Sequence, residues 1–351
     1  MQIVENPPAF KTNEIDREAE RLLRRLMYVD CLPDEKWDID NCRRIAPLTL
    51  EIQALKQERN AIVLAHSYVV PEIIYGIADH VGDSYQLSYE ASKTDADVIV
   101  FAGVVFMAET AKILSPEASV VVPDIGSGCS LADSLDAAEV TRLKMLYPEA
   151  QVVCYINSTA AVKAESDVCV TSSNVYNIVA GMPNRQVIFV PDRLMAQNIR
   201  EELKRRGIEK EIIASDGTCI VHDEFDPERV AAARRQFPGV AVVSHPECTP
   251  EITAASDFVG STSAMLKYVK ESNAPYYLML TECGLVGRLE VEDPEKRFIP
   301  GCRLCPYMKL NSLEKIRDVL RQPRPDQVIE LDEALRLKAK RSIDRMFELA
   351  E

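Results

Sequence analysis

Three strand ends of this chain line up at one period. The segments "VLAHSY", "VVCYIN" and "VVSHPE" place His66, Tyr155 and His245 at intervals of 89 and 90 residues. Downstream, "ADHVGDS", "SDVCVTS" and "SDFVGST" place Asp79, Asp167 and Asp257 at intervals of 88 and 90, and a hydroxyl follows five residues after each: Ser84, Ser172 and Thr262. A further apolar run comes next in each copy, "VIVF", "VIFV" and "YLML". Each copy then ends on a cysteine: Cys129 in "GSGCSLADS", Cys219 in "SDGTCIVHDE" and Cys305 in "GCRLCPYMKLN", 90 and 86 residues apart. Four kinds of feature holding one period indicate three copies of a unit of about 90 residues rather than chance alignment.

The content of each copy sets the fold class. Short β-branched runs such as "AIVLAH", "DVIVFAG", "RQVIFVPD" and "VAVVSHPE" alternate with helical patterns. Runs apolar on both faces belong to parallel strands covered by helices. The expectation is an α/β protein of three pseudo-threefold-related α/β/α sandwich domains with short parallel sheets, in a triangular arrangement with the active site at the central axis. The expected boundaries are an N-terminal helical segment at 1–55, repeats at 56–147, 148–238 and 239–322, and a helical tail at 323–351. In the first segment, "IDREAERLLRRLMYV" and "LTLEIQALKQERN" read as two helices. Parallel α/β units bind ligands beyond the carboxyl ends of their strands, so the matched strand ends are where chemistry is sought.

Composition narrows the class of partner. A formal net charge of -14 and a pI near 5.0 argue against a nucleic-acid or anionic-membrane surface. The densest basic run, "KRRGIEK", reads as a solvated helix end. The N-terminus has no charged start followed by an apolar run, and no apolar stretch is long enough to span a bilayer. The expectation is a cytoplasmic protein that binds neither nucleic acid nor membrane.

The ten cysteines are too scattered for a small disulfide scaffold. Cys129, Cys219 and Cys305, one per copy at matching depth, are either soft ligands of one metal centre, iron–sulfur or zinc, or three ordinary buried thiols. Structural zinc prefers four protein ligands in short-spaced pairs, whereas these three are far apart. A four-iron cluster on three cysteines leaves one iron open as a Lewis acid. Cys154 and Cys169 read as core residues. Cys302 is a candidate for a reversible disulfide with Cys305 or Cys283.

Each strand end also carries two polar residues two apart, which places both on one side of extended chain. The pairs are His66 and Tyr68, Tyr155 and Asn157, and His245 and Glu247. They supply acid, base and hydrogen-bond donors. Ser84, Ser172 and Thr262 are expected to open helices, where hydroxyls cap and free N–H groups attract anions. His222, three residues past Cys219, could reach the same centre.

Taken together, "HSYVVPEI", "GDSYQLS", "FMAETAKIL", "CSLADS", "YINSTAAVKAESDVCVTSSN", "FVPDRLMAQNI", "HPEC", "GSTSAML" and "CPYMKLNSLEKI" resemble the quinolinate synthase family, from about Ile62 to Ile316. The resemblance implies the triangular three-domain fold and an oxygen-sensitive [4Fe-4S] cluster on Cys129, Cys219 and Cys305. It implies condensation of iminoaspartate with dihydroxyacetone phosphate to quinolinate, phosphate and water, in NAD biosynthesis. It places His66, Tyr68 and Glu247 at catalytic positions, and Tyr155, Asn157, His222 and His245 at substrate-binding or supporting ones, with Ser84, Ser172 and Thr262 as anion-binding hydroxyls. An unstable imine substrate leaves room for a transient contact with the enzyme that supplies it. The chain departs from the family at Ser67, where many relatives have tyrosine, and at the "GCRLC" segment, where some carry a third cysteine. Two readings independent of the family are a zinc-dependent aldolase or lyase using His222, His245 and a carboxylate, and an iron–sulfur redox sensor.

Overall fold

The structure, a computed structural model, describes residues 10–31 and 36–350. It contains three four-stranded sheets. The first is built from β1 (Ala61–His66), β2 (His80–Gly82), β3 (Val98–Ala102) and β4 (Ser119–Val121). The second comprises β5 (Gln151–Tyr155), β6 (Val168–Val170), β7 (Gln186–Val190) and β8 (Glu211–Ala214). The third comprises β9 (Ala241–Ser244), β10 (Phe258–Val259), β11 (Tyr277–Leu280) and β12 (Phe298–Ile299). Their orders are β2-β1-β3-β4, β6-β5-β7-β8 and β10-β9-β11-β12, the same permutation three times. Pairing is parallel, for example Ala61↔Val98, Gln151↔Val187 and Tyr277↔Ala241. The central strands β1, β3, β5, β7, β9 and β11 are buried along most of their length, as two-sided apolar runs require.

The period in the sequence has a physical cause in each sheet. Asp79, Asp167 and Asp257 do the same structural work. The carboxylate of each accepts from a backbone N–H on the first strand of its sheet: Val63 at 2.7 Å, Val152 at 2.7 Å and Val242 at 2.8 Å. Each aspartate's own N–H returns a bond to the carbonyl of that same strand residue. The short second strand of every sheet is thereby locked in register.

The cysteines obey a second local rule. Three residues after Cys129, Cys219 and Cys305 begins a 3-10 turn: Ala132–Ser134, His222–Glu224 and Met308–Leu310. Each cysteine carbonyl accepts from a backbone N–H four residues on: Asp133, Asp223 or Lys309. Seven residues after each cysteine a side chain caps the next helix: Asp136 for Ala137–Leu146, Asp226 for Pro227–Gln236 and Ser312 for Leu313–Arg321. The three cysteines therefore enter matching loop–turn–helix segments.

By compactness the chain forms two units. One is made of Met1–Ser127, Glu282–Pro300 and Leu304–Glu330. In it the helices Thr12–Leu26 and Ile39–Glu58 pack on each other, and the second also packs on Leu313–Arg321. The other unit is made of Gly128–Thr281, Gly301–Arg303 and Leu331–Glu351. Within it the helix Glu333–Ala350 covers the helix Ala160–Ala164 and β6.

Local expectations fail in three places. The second N-terminal helix starts at Ile39, capped by Asp38, and passes through Pro47. Packing of its buried face outweighs the hydrogen bond that a proline removes. β2 and β12 lack an apolar run and exist because a longer strand offers them backbone partners. Ser172 does not open a helix: it lies in a turn, and the helix begins at Val175. Ser84 and Thr262 stand just inside their helices, and the caps are the preceding Asp83 and Ser261. Among the described residues no helix is long and apolar enough to cross a membrane.

Candidate active site

At the carboxyl ends of β5 and β9 a buried polar network is centred on Glu247, which is 3 % exposed. Tyr155, the last residue of β5, donates its hydroxyl to Glu247 Oε1 at 2.5 Å. Asn157 Nδ2 lies 3.5 Å from the same oxygen. The other oxygen, Oε2, is 2.8 Å from His222 Nδ1. His222 Nε2 lies 3.1 Å from Thr281 Oγ1. With the Nδ1 proton given to the carboxylate, Nε2 is left to accept from Thr281 in the neutral ring. The His245 ring stacks on that of His222 at 4.6 Å. The Glu247 N–H points at His245 Nδ1 at 3.3 Å, which leaves the proton of a neutral His245 on Nε2.

The electrostatics of this network favour an anion. Burial alone pushes the Glu247 carboxyl up. The charges that His245 and His222 carry when protonated, and the hydrogen bonds from His222 and Tyr155, outweigh burial and hold it well below the usual carboxylate range. The nearby Asp192, fully buried beyond β7, goes the other way. Burial and the Glu247 charge raise it well above its ordinary value, against the two backbone bonds from Met195 and Leu194. Glu247 is thus held as the anion, while Asp192 is biased towards its protonated form.

Cys219 adjoins this network, its Sγ 3.3 Å from His222 Nδ1. Ser130, next to Cys129, donates to the Thr218 carbonyl at 3.0 Å and accepts from Ile220 N–H at 3.2 Å. The loops of Cys129 and Cys219 are therefore laced together inside one unit.

In the other unit, His66 and Tyr68 stand at the end of β1. Their rings meet edge to face at 4.5 Å, and Tyr68 N–H points at His66 Nδ1 at 3.2 Å, as at His245 and Glu247. Lys309 Nζ donates to the Tyr68 carbonyl at 2.6 Å and pairs with the fully buried Glu282 at 3.0 Å. Glu282 also accepts from Cys305 N–H at 3.0 Å and from Gly284 N–H at 2.5 Å. Gly284 is required there, because a Cβ would stand 2.8 Å from the Tyr68 Cα. One carboxylate thus ties the Cys305 loop to the Tyr68 backbone. Ser67 faces away and accepts from Arg288 at 2.9 Å.

Comparison with known proteins gives the family. A family model described as "Quinolinate synthetase A protein" matches residues 50–348. The chain belongs to the quinolinate synthetase A family. Among its relatives in that family, "Quinolinate synthase 2" of Mesorhizobium japonicum is 45 % identical over 292 residues, 83 % of this chain and 88 % of that protein. "Quinolinate synthase" of Sinorhizobium medicae is 39 % identical over 349 residues, 99 % and 93 % of the two chains. That of Xylella fastidiosa is 44 % identical over 292 residues, 83 % and 84 %.

In this quinolinate synthetase A family member the donors suit a metal centre. Cys219 Sγ, a His222 nitrogen and a Glu247 oxygen lie within 4.8 Å of one another. Burial, the Glu247 charge and Cys129 all push the Cys219 thiol well above its ordinary value. Burial disfavours a thiolate at that spot, as it does at Cys248. Burial likewise raises the Cys305 thiol.

The remaining residues singled out in the sequence fall in varied places. Ser84 and Ser172 are half-buried, and Thr262 is buried. Cys154 and Cys169 are buried partners across β5 and β6. Burial opposes ionisation of Cys154, yet the Cys169 hydrogen bond and the Lys163 charge bring it to about 7. Cys283 and Cys302 are disulfide-bonded, and Cys305 is a free thiol. Glu282, Lys309, Asp192 and Thr281 were not singled out in the sequence. Lys309 stands in the quoted "CPYMKLN", but nothing local marks its partner, Glu282.

Proposed function

We propose that this protein is a quinolinate synthase that condenses iminoaspartate with dihydroxyacetone phosphate, releasing phosphate and two waters. The observation that carries the reading is the buried Tyr155–Glu247–His222–Cys219 chain at matched strand ends, in a chain of this family. The family resemblance assigns the cluster ligands to Cys129, Cys219 and Cys305. A [4Fe-4S] cluster held by them would supply an open Lewis-acidic iron that polarises a substrate oxygen.

The chain's own residues handle protons and charge. A carboxylate held so far below the usual range is a weak base at rest. Glu247 keeps the Tyr155 O–H and His222 N–H aligned, and takes a proton when one of those partners turns to substrate. Thr281 holds His222 in the tautomer this requires. By the resemblance, His66 and Tyr68 stand at catalytic positions, with Tyr68 carrying proton transfers, and Asn157 and His245 bind or support substrate. Ser84, Ser172 and Thr262 are the hydroxyls proposed for the carboxylates and phosphate of the substrates. The proposed domain division follows the three sheets, with repeats at 56–147, 148–238 and 239–322. We place the reaction in the cytoplasm, with a transient contact to the supplier of iminoaspartate, because a free imine hydrolyses in water.

The test is iron, acid-labile sulfide and quinolinate formation on protein purified without oxygen. Expected are about four iron and four sulfide per chain, as a four-iron cluster contains. Cys129→Ser, Cys219→Ser and Cys305→Ser lose both iron and turnover, whereas Cys302→Ser keeps its iron. Zinc without sulfide, or full iron in Cys305→Ser, overturns the assignment.

A further inference from the structure

We propose that Asn198 is a positioning residue for Glu247. The inference rests on the reading of Glu247 as catalytic and adds a residue to that machinery. Asn198 lies on the helix Arg193–Arg205 and is 5 % exposed. Its amide nitrogen donates to two carbonyls, Pro246 at 2.8 Å and Cys248 at 2.7 Å. These are the residues on either side of Glu247. Two carbonyls facing the amide dictate its orientation, nitrogen inward. Its oxygen accepts from Thr253 Oγ1 at 2.9 Å, the helix that follows the same loop. Both hydrogens and the oxygen of one side chain are thus spent on the segment that carries the carboxylate.

The helix that presents Asn198 is itself fixed. Asp192 caps its start through Leu194 N–H at 2.8 Å and Met195 N–H at 3.0 Å. Arg193 N–H bonds the Gly217 carbonyl at 2.8 Å, two residues before Cys219. One helix therefore holds the Cys219 loop at its first residue and the Glu247 loop about one and a half turns on. The Asn198 amide thus bridges the Pro246 and Cys248 carbonyls and couples their alignment to its helix. Glu247 makes its bonds to Tyr155 and His222 at 2.5 and 2.8 Å, a tolerance that a displaced backbone would exceed. Catalytic groups held by such supporting shells lose on the order of 10²-fold for a misplacement of about 1 Å.

The experiment compares Asn198→Leu with the parent as holoenzyme purified without oxygen, reading kcat, KM and iron content. Leucine keeps the branched shape and number of heavy atoms and removes both donors and the acceptor for Thr253. Expected is a fall in kcat of about 10- to 100-fold, KM within about threefold, and parental iron. The same change made on Glu247→Asp, whose carboxylate is already displaced, lowers kcat less than about threefold. A kcat within about threefold of the parent overturns the proposal. So does an equal loss on both backgrounds, or a loss of turnover that tracks loss of iron. If Asn198→Leu fails to fold, Asn198→Asp, which keeps the acceptor for Thr253 and gives up donors, is measured with the same expectations. Parental turnover in both Glu247→Asp and Glu247→Gln is a separate result. It refutes the role of Glu247 itself, without any change at Asn198.

Discussion

Replacing Tyr155 by phenylalanine tests the electrostatic centre of the site with the loss of a single oxygen. That oxygen donates to Glu247 Oε1 at 2.5 Å inside a fully buried environment. Hydrogen bonds to charged groups contribute about 1.5–3 kcal/mol, and a distance at the short end of the O–H···O⁻ range argues for the upper half. His222 still holds Oε2, so the carboxylate keeps its charge, and the expected destabilisation is about 2 kcal/mol. At roughly 2–4 °C per kcal/mol, the melting temperature falls by about 4–8 °C. The pH dependence has a definite sign. The folded-state pKa of Glu247 is depressed, so its contribution is present above the unfolded value and is lost as pH falls through the folded one. The Tyr155→Phe deficit is therefore constant between pH 6 and 8. It narrows only below the ordinary carboxylate value of about 4.3. The assay is thermal melting of anaerobic holoenzyme at pH 8, 7, 6 and 4, with turnover measured alongside. Equal melting temperatures at pH 7, or a deficit that widens on acidification, would show that this hydroxyl does not stabilise the ionised carboxylate.

Two other substitutions probe the network from outside. Asp192 is raised above its ordinary pKa by burial and the Glu247 charge, so the folded state must take up a proton that the unfolded chain lacks above about pH 4. Asp192→Asn keeps the cap acceptor and removes that uptake, so its melting temperature gains on the parent as pH rises above the ordinary carboxylate value of about 4; a gain that shrinks as the pH is raised from there contradicts an elevated Asp192. Gly284→Ala puts a Cβ against the Tyr68 backbone, so turnover falls at least about tenfold from displacement of Tyr68; unchanged turnover, measured with parental iron, removes the link between Gly284 and the placement of Tyr68.

The sheets and the candidate residues were readable along the chain to different depths. Ten strands follow from their own β-branched runs, because a strand buried on both faces must be apolar throughout. β2 and β12 could not be read this way, since backbone pairing alone makes them strands. The quoted "LTLEIQALKQERN" starts at Leu48, yet the helix Ile39–Glu58 runs through Pro47, because its packing against Thr12–Leu26 is a tertiary quantity. The matched hydroxyls were seen, but their capping role was misplaced by one residue at Ser84 and Thr262, and Ser172 caps nothing.

Spacing along the chain carried the repetition: three α/β copies, each with an aspartate, a cysteine and a polar pair on one side of a strand end. All of these rest on spacing between near neighbours, which the backbone geometry of strands and turns converts directly into position. What only the tertiary structure decided were the partners. Asn198 reaches carbonyls 48 and 50 residues away, and Lys309 reaches Tyr68 across 241. The depression of Glu247 and the elevation of Asp192 arise from burial and charges contributed by separate loops. No period along the chain encodes such distances, because they depend on which helix faces pack together and on how much water that packing removes.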